Sequence, residues 1–142
     1  KLAQIRDLSK AVDTEMIAYG RLPLMITENC LVQNETGCRL DRQGPCVPED
    51  GPCRCGQPNV LVDRTGAAFP LLPAYGHRTE IQNSKPLYLA DRPEHRRLGL
   101  AYTRLRFTTE TAEECVSVVQ NYLDAAPAAG DFTRGLYERG VE

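Results

Sequence analysis

Leu2, Ile5, Leu8 and Val12 recur at three- and four-residue steps, so the chain opens on an amphipathic helix. "TEMIAYG" (14–20) then reads as a short strand that ends at Gly20, with "RLPLM" leading out. Residues 28–58 show little periodicity and predict a loop-rich stretch of about thirty residues, a length uncommon in compact domains unless functional, cross-linked or disordered. "NVLVDRTGAAFPLL" follows, two apolar runs around the turn chemistry of "DRTG", and predicts a β-hairpin. "RTEIQNSKPLYLAD" predicts a further strand broken at "NSKP", and "LAYTRLRFT" (100–108) alternates as a strand. Thr111 and Glu114 have the spacing of a capping box; Cys115, Val118, Val119, Tyr122 and Leu123 behind it predict a helix with one apolar face, stopped at "APAAGD". The tail "FTRGLYERGVE" is broken by glycines and reads as irregular.

Helix, strand, cysteine-rich excursion with hairpins, strand, helix is the resulting order. It predicts an α+β or α/β fold: the last βα units of a TIM-barrel-like module, carrying a cysteine-rich β-hairpin insertion over about residues 28–99 within a single domain of residues 1–142. Excursions from such barrels leave at the C-terminal ends of the strands, where active sites sit. The chain opens inside a helical pattern, on Lys1 and without an N-cap, which reads as a C-terminal piece of a longer protein.

Composition narrows the function classes. A length of 142 residues suits one domain, and a net charge of −2 supplies no general attraction to phosphate or to an anionic membrane. No apolar run approaches the roughly 18 residues that span a bilayer, and "KLAQIRDLSK" lacks the apolar core and cleavage site of a secretory leader.

Five of the six cysteines fall in residues 28–58, together with four prolines and four glycines. A segment so poor in large apolar residues needs staples or a metal. Without a secretory leader, metal binding is favoured over a disulfide framework. The C-x-C pair in "GPCRCGQPN", Cys53 and Cys55, would close a strained ring if joined, yet both thiolates can approach one ion. His77, in the turn "YGHRT", can complete a Cys₃His set or stand as a solvated side chain. Cys115, on a helix's apolar face, reads as a packed thiol. Tyr19 and Arg21 flank Gly20 at the end of a barrel-like strand, and Glu28 lies just before Cys30; these three are the candidates for facing a substrate, with Tyr19 equally suited to barrel packing.

"EMIAYGRLPLMITENC" resembles the U32 family of collagenase-like peptidases, in the branch carrying "YGR-LPLM-TENC". "LVDRTGAAFPL", "RTEIQNSKPLYLAD", "RLRFTTETAEECV" and "FTRGLYERGVE" match that branch in order, so the resemblance runs through nearly all of the chain and corresponds to the C-terminal part of the family's module. In the family signature E-x-x-x-x-G-x-x-C-x(4)-G-x-C, Glu15, Gly20 and Cys30 fall in register, whereas Pro23 replaces the first Cys and Glu28 the second Gly. Members that hold a 4Fe–4S cluster on four cysteines would be matched here by Cys30 and by Cys53 or Cys55, with Pro23 and Tyr88 at the other two places. The resemblance to the branch implies a different set, Cys30, Cys53, Cys55 and His77, with Cys38 in reserve and Cys46 in an extra stretch of loop. A Cys₃His set suits zinc, and a 4Fe–4S cluster is the alternative.

Three functions follow from the resemblance and the residues. One is a hydrolase of peptide bonds, whose catalytic residues this chain leaves unnamed: it has no H-E-x-x-H, no G-x-S-x-G and no Cys–His pair beside an orienting group. Another is an iron–sulfur protein of oxygen-independent hydroxylation acting on RNA or a small molecule, with Arg21, Arg39, Arg42, Arg54, Arg64 and Arg78 around the excursion to meet phosphate. The third is a zinc-stabilised structural or substrate-facing subdomain, inactive alone, whose partner is the N-terminal barrel of the parent protein. A peptide or RNA substrate is expected, no membrane, and a cytoplasmic setting that keeps thiols reduced.

Overall fold

The computed structural model describes residues 2–36, 54 and 57–136. Its elements in chain order are α1 (Leu2–Ser9), β1 (Glu15–Gly20), β2 (Pro23–Thr27), α2 (Leu31–Thr36), β3 (Asn59–Val62), β4 (Ala68–Ala74), β5 (Arg78–Gln82), β6 (Leu87–Tyr88), α3 (Pro93–Arg96), β7 (Tyr102–Leu105) and α4 (Ala112–Leu123). The described residues thus form a mixed α+β fold with two sheets and four helices. None of these helices is long and apolar enough to cross a membrane. Two compact units divide the chain: residues 1–21 with 85–142, and residues 22–84.

The first unit is built on the three-stranded sheet β6-β1-β7. β1 is parallel to β7 and antiparallel to β6, with Tyr19 opposite Tyr88 and Gly20 opposite Leu87. "MIAYG" is apolar at every position because β1 is the central strand and Met16, Ala18, Tyr19 and Gly20 are all buried. The register of β1 on β7 slips between Ile17 and Tyr19, a bulge that re-aims the strand's end. At that end Gly20 has φ +116, and a Cβ built on it would lie 2.0 Å from the Arg106 carbonyl oxygen. Only glycine fits there.

α4 starts as its sequence requires. Thr111 Oγ1 accepts from the Glu114 amide at 3.3 Å and Glu114 Oε2 accepts from the Thr111 amide at 2.7 Å. The expected apolar face is narrower than its sequence: Val118 is buried and Cys115 and Tyr122 half-buried, whereas Val119 and Leu123, with Val116, are exposed. Val118 and Tyr122 pack beside Tyr19, Tyr88 and Ala90.

The second unit is the antiparallel sheet β2-β5-β4-β3. Asp63 closes the β3–β4 turn, its Oδ1 accepting from the Thr65 amide at 2.7 Å, the Thr65 hydroxyl at 2.6 Å and the Ala67 amide at 3.0 Å. Gly76 and His77, at φ +75 and +60, turn β4 into β5. β2 was not expected: Pro23 is tolerated because it opens an edge strand. Leu24, Met25 and Ile26 are exposed along it. The two ends of this unit meet where the Asn83 amide donates to the Leu22 carbonyl at 2.8 Å.

Candidate functional site

The expected ligands and pocket residues fall in both units. In the second, strand register decides what comes together. β2 runs antiparallel to β5 with Thr27 opposite Thr79, so Cys30 follows at the end of the sheet where β5 begins. The β4–β5 turn that carries His77 is at the same end, since Ala74 pairs with Arg78. β3 starts with Asn59 opposite Leu71 and runs away from that turn to Val62 opposite Ala68, so the chain leading into β3 also arrives from that end. Arg54, the residue between Cys53 and Cys55, is tied to this lead-in: Asn59 Nδ2 donates to the Arg54 carbonyl at 2.9 Å and to the Gln57 carbonyl at 2.7 Å.

Cys30 is a free thiol, 5% exposed. Its surroundings are organised by Thr79, itself buried, whose hydroxyl accepts from the Leu31 amide at 3.0 Å and whose carbonyl accepts from the Thr27 hydroxyl at 3.3 Å. α2 then lies over the sheet. Leu31, Val32 and Glu35 line a depression of about 540 Å³ together with Arg54, Asn59 and Leu71. The residues that follow Cys30 and the residue between the C-x-C cysteines thus share one cavity wall. Cys38, Cys46, Cys53 and Cys55 lie outside the described residues. Among the described residues no three His, Cys, Asp or Glu side chains converge as metal ligands. Cys30 and His77 nevertheless have the chemistry zinc prefers, a thiol and an imidazole, at one sheet end.

Glu28 is exposed and is joined to Arg78 at 3.2 Å. Arg78 follows His77 directly, so this ion pair ties the β4–β5 turn to the segment leading to Cys30.

Tyr19 and Arg21 belong to the first unit. Tyr19 is 7% exposed and packed among rings: Phe107 at 5.5 Å, Tyr122 at 6.2 Å and Tyr88 at 6.5 Å between centroids. Its hydroxyl donates to Glu110 Oε1 at 3.2 Å, while Glu110 Oε2 accepts the amides of Thr108 at 2.7 Å and Thr109 at 3.0 Å. Burial foremost, then the Glu110 charge, pushes the Tyr19 phenol well above its usual acidity range, against a smaller opposing pull from Arg21. The Arg21 carbonyl accepts from Arg106 Nη1 at 2.7 Å. Tyr122 is pinned more tightly: its hydroxyl donates to the Ala18 carbonyl at 2.5 Å and accepts the Leu89 amide at 2.8 Å. Its phenol is also raised, chiefly by burial. Tyr88 donates to the Ala126 carbonyl at 2.8 Å, and beside it Asp91 forms a two-point pair with Arg134, at 2.5 and 2.8 Å. These tyrosines are neutral, fully engaged groups that hold β1, β6 and α4 together.

Sequence reasoning did not single out Thr79, Asn59 or Glu110. Only Asn59 carried a signal, an Asn just before a strand, where its amide bonds locally to backbone.

No family model matches the chain, and no curated protein or solved structure matches it.

Proposed function

We propose that the chain is part of a U32-type, collagenase-like protein in which residues 22–84 form a zinc-stabilised, substrate-facing subdomain. The first unit, with its parallel β1–β7 pair and α4, corresponds in this reading to βα steps of a TIM-barrel-like module. Zinc is assigned to Cys30, Cys53, Cys55 and His77, a closed four-ligand set that contributes folding energy and leaves no open position for catalysis. Peptide-bond hydrolysis belongs to the complete protein, and reduced thiols suit a cytoplasmic setting. The observation that carries the reading is the strand register, which brings Cys30, the lead-in containing Arg54 and the His77 turn to one end of the same sheet.

Elemental analysis of anaerobically purified protein tests it. The expected result is one zinc per chain, lost together with thermal stability in Cys30→Ser and Cys55→Ser. Unchanged metal content and melting temperature in both variants would refute the ligand set. Iron with sulfide and broad visible absorbance would instead assign a thiolate-held cluster, and with it the oxygen-independent hydroxylation of RNA or a small molecule.

A further inference from the structure

A groove in the first unit, unconnected with the cysteines, lies between α1 and the end of α3. It has a volume of about 330 Å³ and is walled by Arg6 of α1, Glu94 and Arg97 of α3 and its end, and the apolar Leu2, Ala3 and Leu98. Leu98 is buried and forms the floor. The walls are fixed by backbone. Ser9 Oγ, at the end of α1, donates to the Leu98 carbonyl, and Gly99 beyond it adopts φ +72. In α3, Pro93 occupies the first turn, and buried His95 donates from Nδ1 to the Arg92 carbonyl at 2.6 Å. The Arg97 amide bonds to the Glu94 carbonyl at 3.1 Å and the Leu98 amide to the His95 carbonyl at 3.3 Å.

The arginines of this groove differ from others in the molecule. Arg96 donates to the Tyr122 carbonyl, Arg104 to Glu15, Arg78 to Glu28 and Arg134 to Asp91. The guanidiniums of Arg6 and Arg97 have no hydrogen-bond partner among the described residues. Arg6, beside Asp7 in sequence, and Arg97 both border the groove, so an anion placed there meets two cationic groups. Glu94 reduces the groove's formal charge to +1, which matches a singly charged group better than a dianion, and its carboxylate can accept a donor of the ligand. Leu2, Ala3 and Leu98 offer an apolar floor to the rest of the molecule. We propose that this groove binds a small organic acid, its carboxylate held between Arg6 and Arg97 and its apolar body against Leu98. Planar guanidinium forks fit a carboxylate in two-point geometry.

Titration of the full chain with sodium benzoate, followed by amide NMR, tests the proposal. Saturable shifts are expected at residues 2–6 and 94–98. Arg6→Gln and Arg97→Gln are exposed substitutions and should each weaken binding roughly tenfold, the value of one charge-assisted hydrogen bond, without lowering the melting temperature. Benzyl alcohol, without the charge, and inorganic phosphate, without the apolar body, should bind roughly tenfold or more weakly than benzoate. Non-saturable shifts, undiminished binding by both Gln variants, or equal binding of either control ligand would overturn it. The outcome is independent of zinc content, so it stands or falls apart from the U32 reading.

Discussion

Gly20→Ala is the most demanding test of the packing in the first unit. Two costs act at one position. The first is conformational: φ +116 lies where an L side chain collides with its own backbone, at about 1–2 kcal/mol or more. The second is steric, because the new methyl would sit 2.0 Å from the Arg106 carbonyl oxygen, a backbone atom that cannot swing aside. Relief requires β1 and the segment after β7 to separate, which strains the Arg106 amide bond to the Tyr19 carbonyl at 2.9 Å. Such overpacking costs about 1–3 kcal/mol. The sum, about 2–5 kcal/mol, corresponds to a melting temperature lower by roughly 6–15 °C in a chain of this size. Gly66→Ala is the internal control. It shares a positive φ, +85, but its methyl would meet nothing within 4 Å, so only the conformational cost applies. Calorimetry or circular dichroism reads both, and hydrogen exchange at the Arg106 amide reports the local opening. If Gly20→Ala melted with Gly66→Ala, or within about 2 °C of the parent, the close approach would be refuted.

Further outcomes are equally specific. Tyr122→Phe removes the donor to Ala18 and leaves the buried Leu89 amide without its acceptor, a loss of about 1–3 kcal/mol measurable by urea unfolding. Thr111→Ala breaks the capping box of α4 and should cost about 1 kcal/mol, visible as faster exchange in its first turn. The hydrogen bond and charge of Arg134 hold the Asp91 carboxyl below its usual range, so its contribution is present above about pH 4 and lost as pH falls through the lowered value. Asp91→Asn should flatten the acid limb of stability against pH; an unchanged limb would exclude this pair as its source. The Tyr19 and Tyr122 phenols are raised, so their contribution is full below about pH 10 and fades as pH climbs through the raised values. Spectroscopic titration should show tyrosinate forming late, and coincident with alkaline unfolding.

Much of the fold was legible where local chemistry is self-sufficient. The capping box of Thr111 and Glu114 gave α4 its start, "DRTG" gave the β3–β4 turn through Asp63, and the unbroken apolar run of β1 matched a central strand. β2 was missed because "PLMIT" neither alternates nor is buried; it is a strand through pairing with β5, which no local pattern encodes. α2 and α3 are too short for periodicity to register. The width of the apolar face of α4 was misjudged for a related reason: Val119 and Leu123 look like core but are exposed, and Val118 and Tyr122 are the residues that pack with Tyr19 of β1 and Tyr88 of β6. For the candidate site, sequence singled out Cys30 and His77 but not their placement at one end of the same sheet, which depends on the register Thr27–Thr79 and on Ala74 pairing with Arg78.

The hydrogen bond between Asn83 and Leu22 also bears on how the chain can be shortened. Leu22 and Asn83, near the two ends of the unit of residues 22–84, lie one hydrogen bond apart, so replacing the segment between them by a short linker would cost little loop-closure entropy. Its host needs only a short linker to keep Gly20 facing Leu87. Such a replacement would leave the aromatic scaffold around Tyr19 untouched, since Tyr19, Tyr88, Phe107, Tyr122 and Phe132 all belong to the first unit.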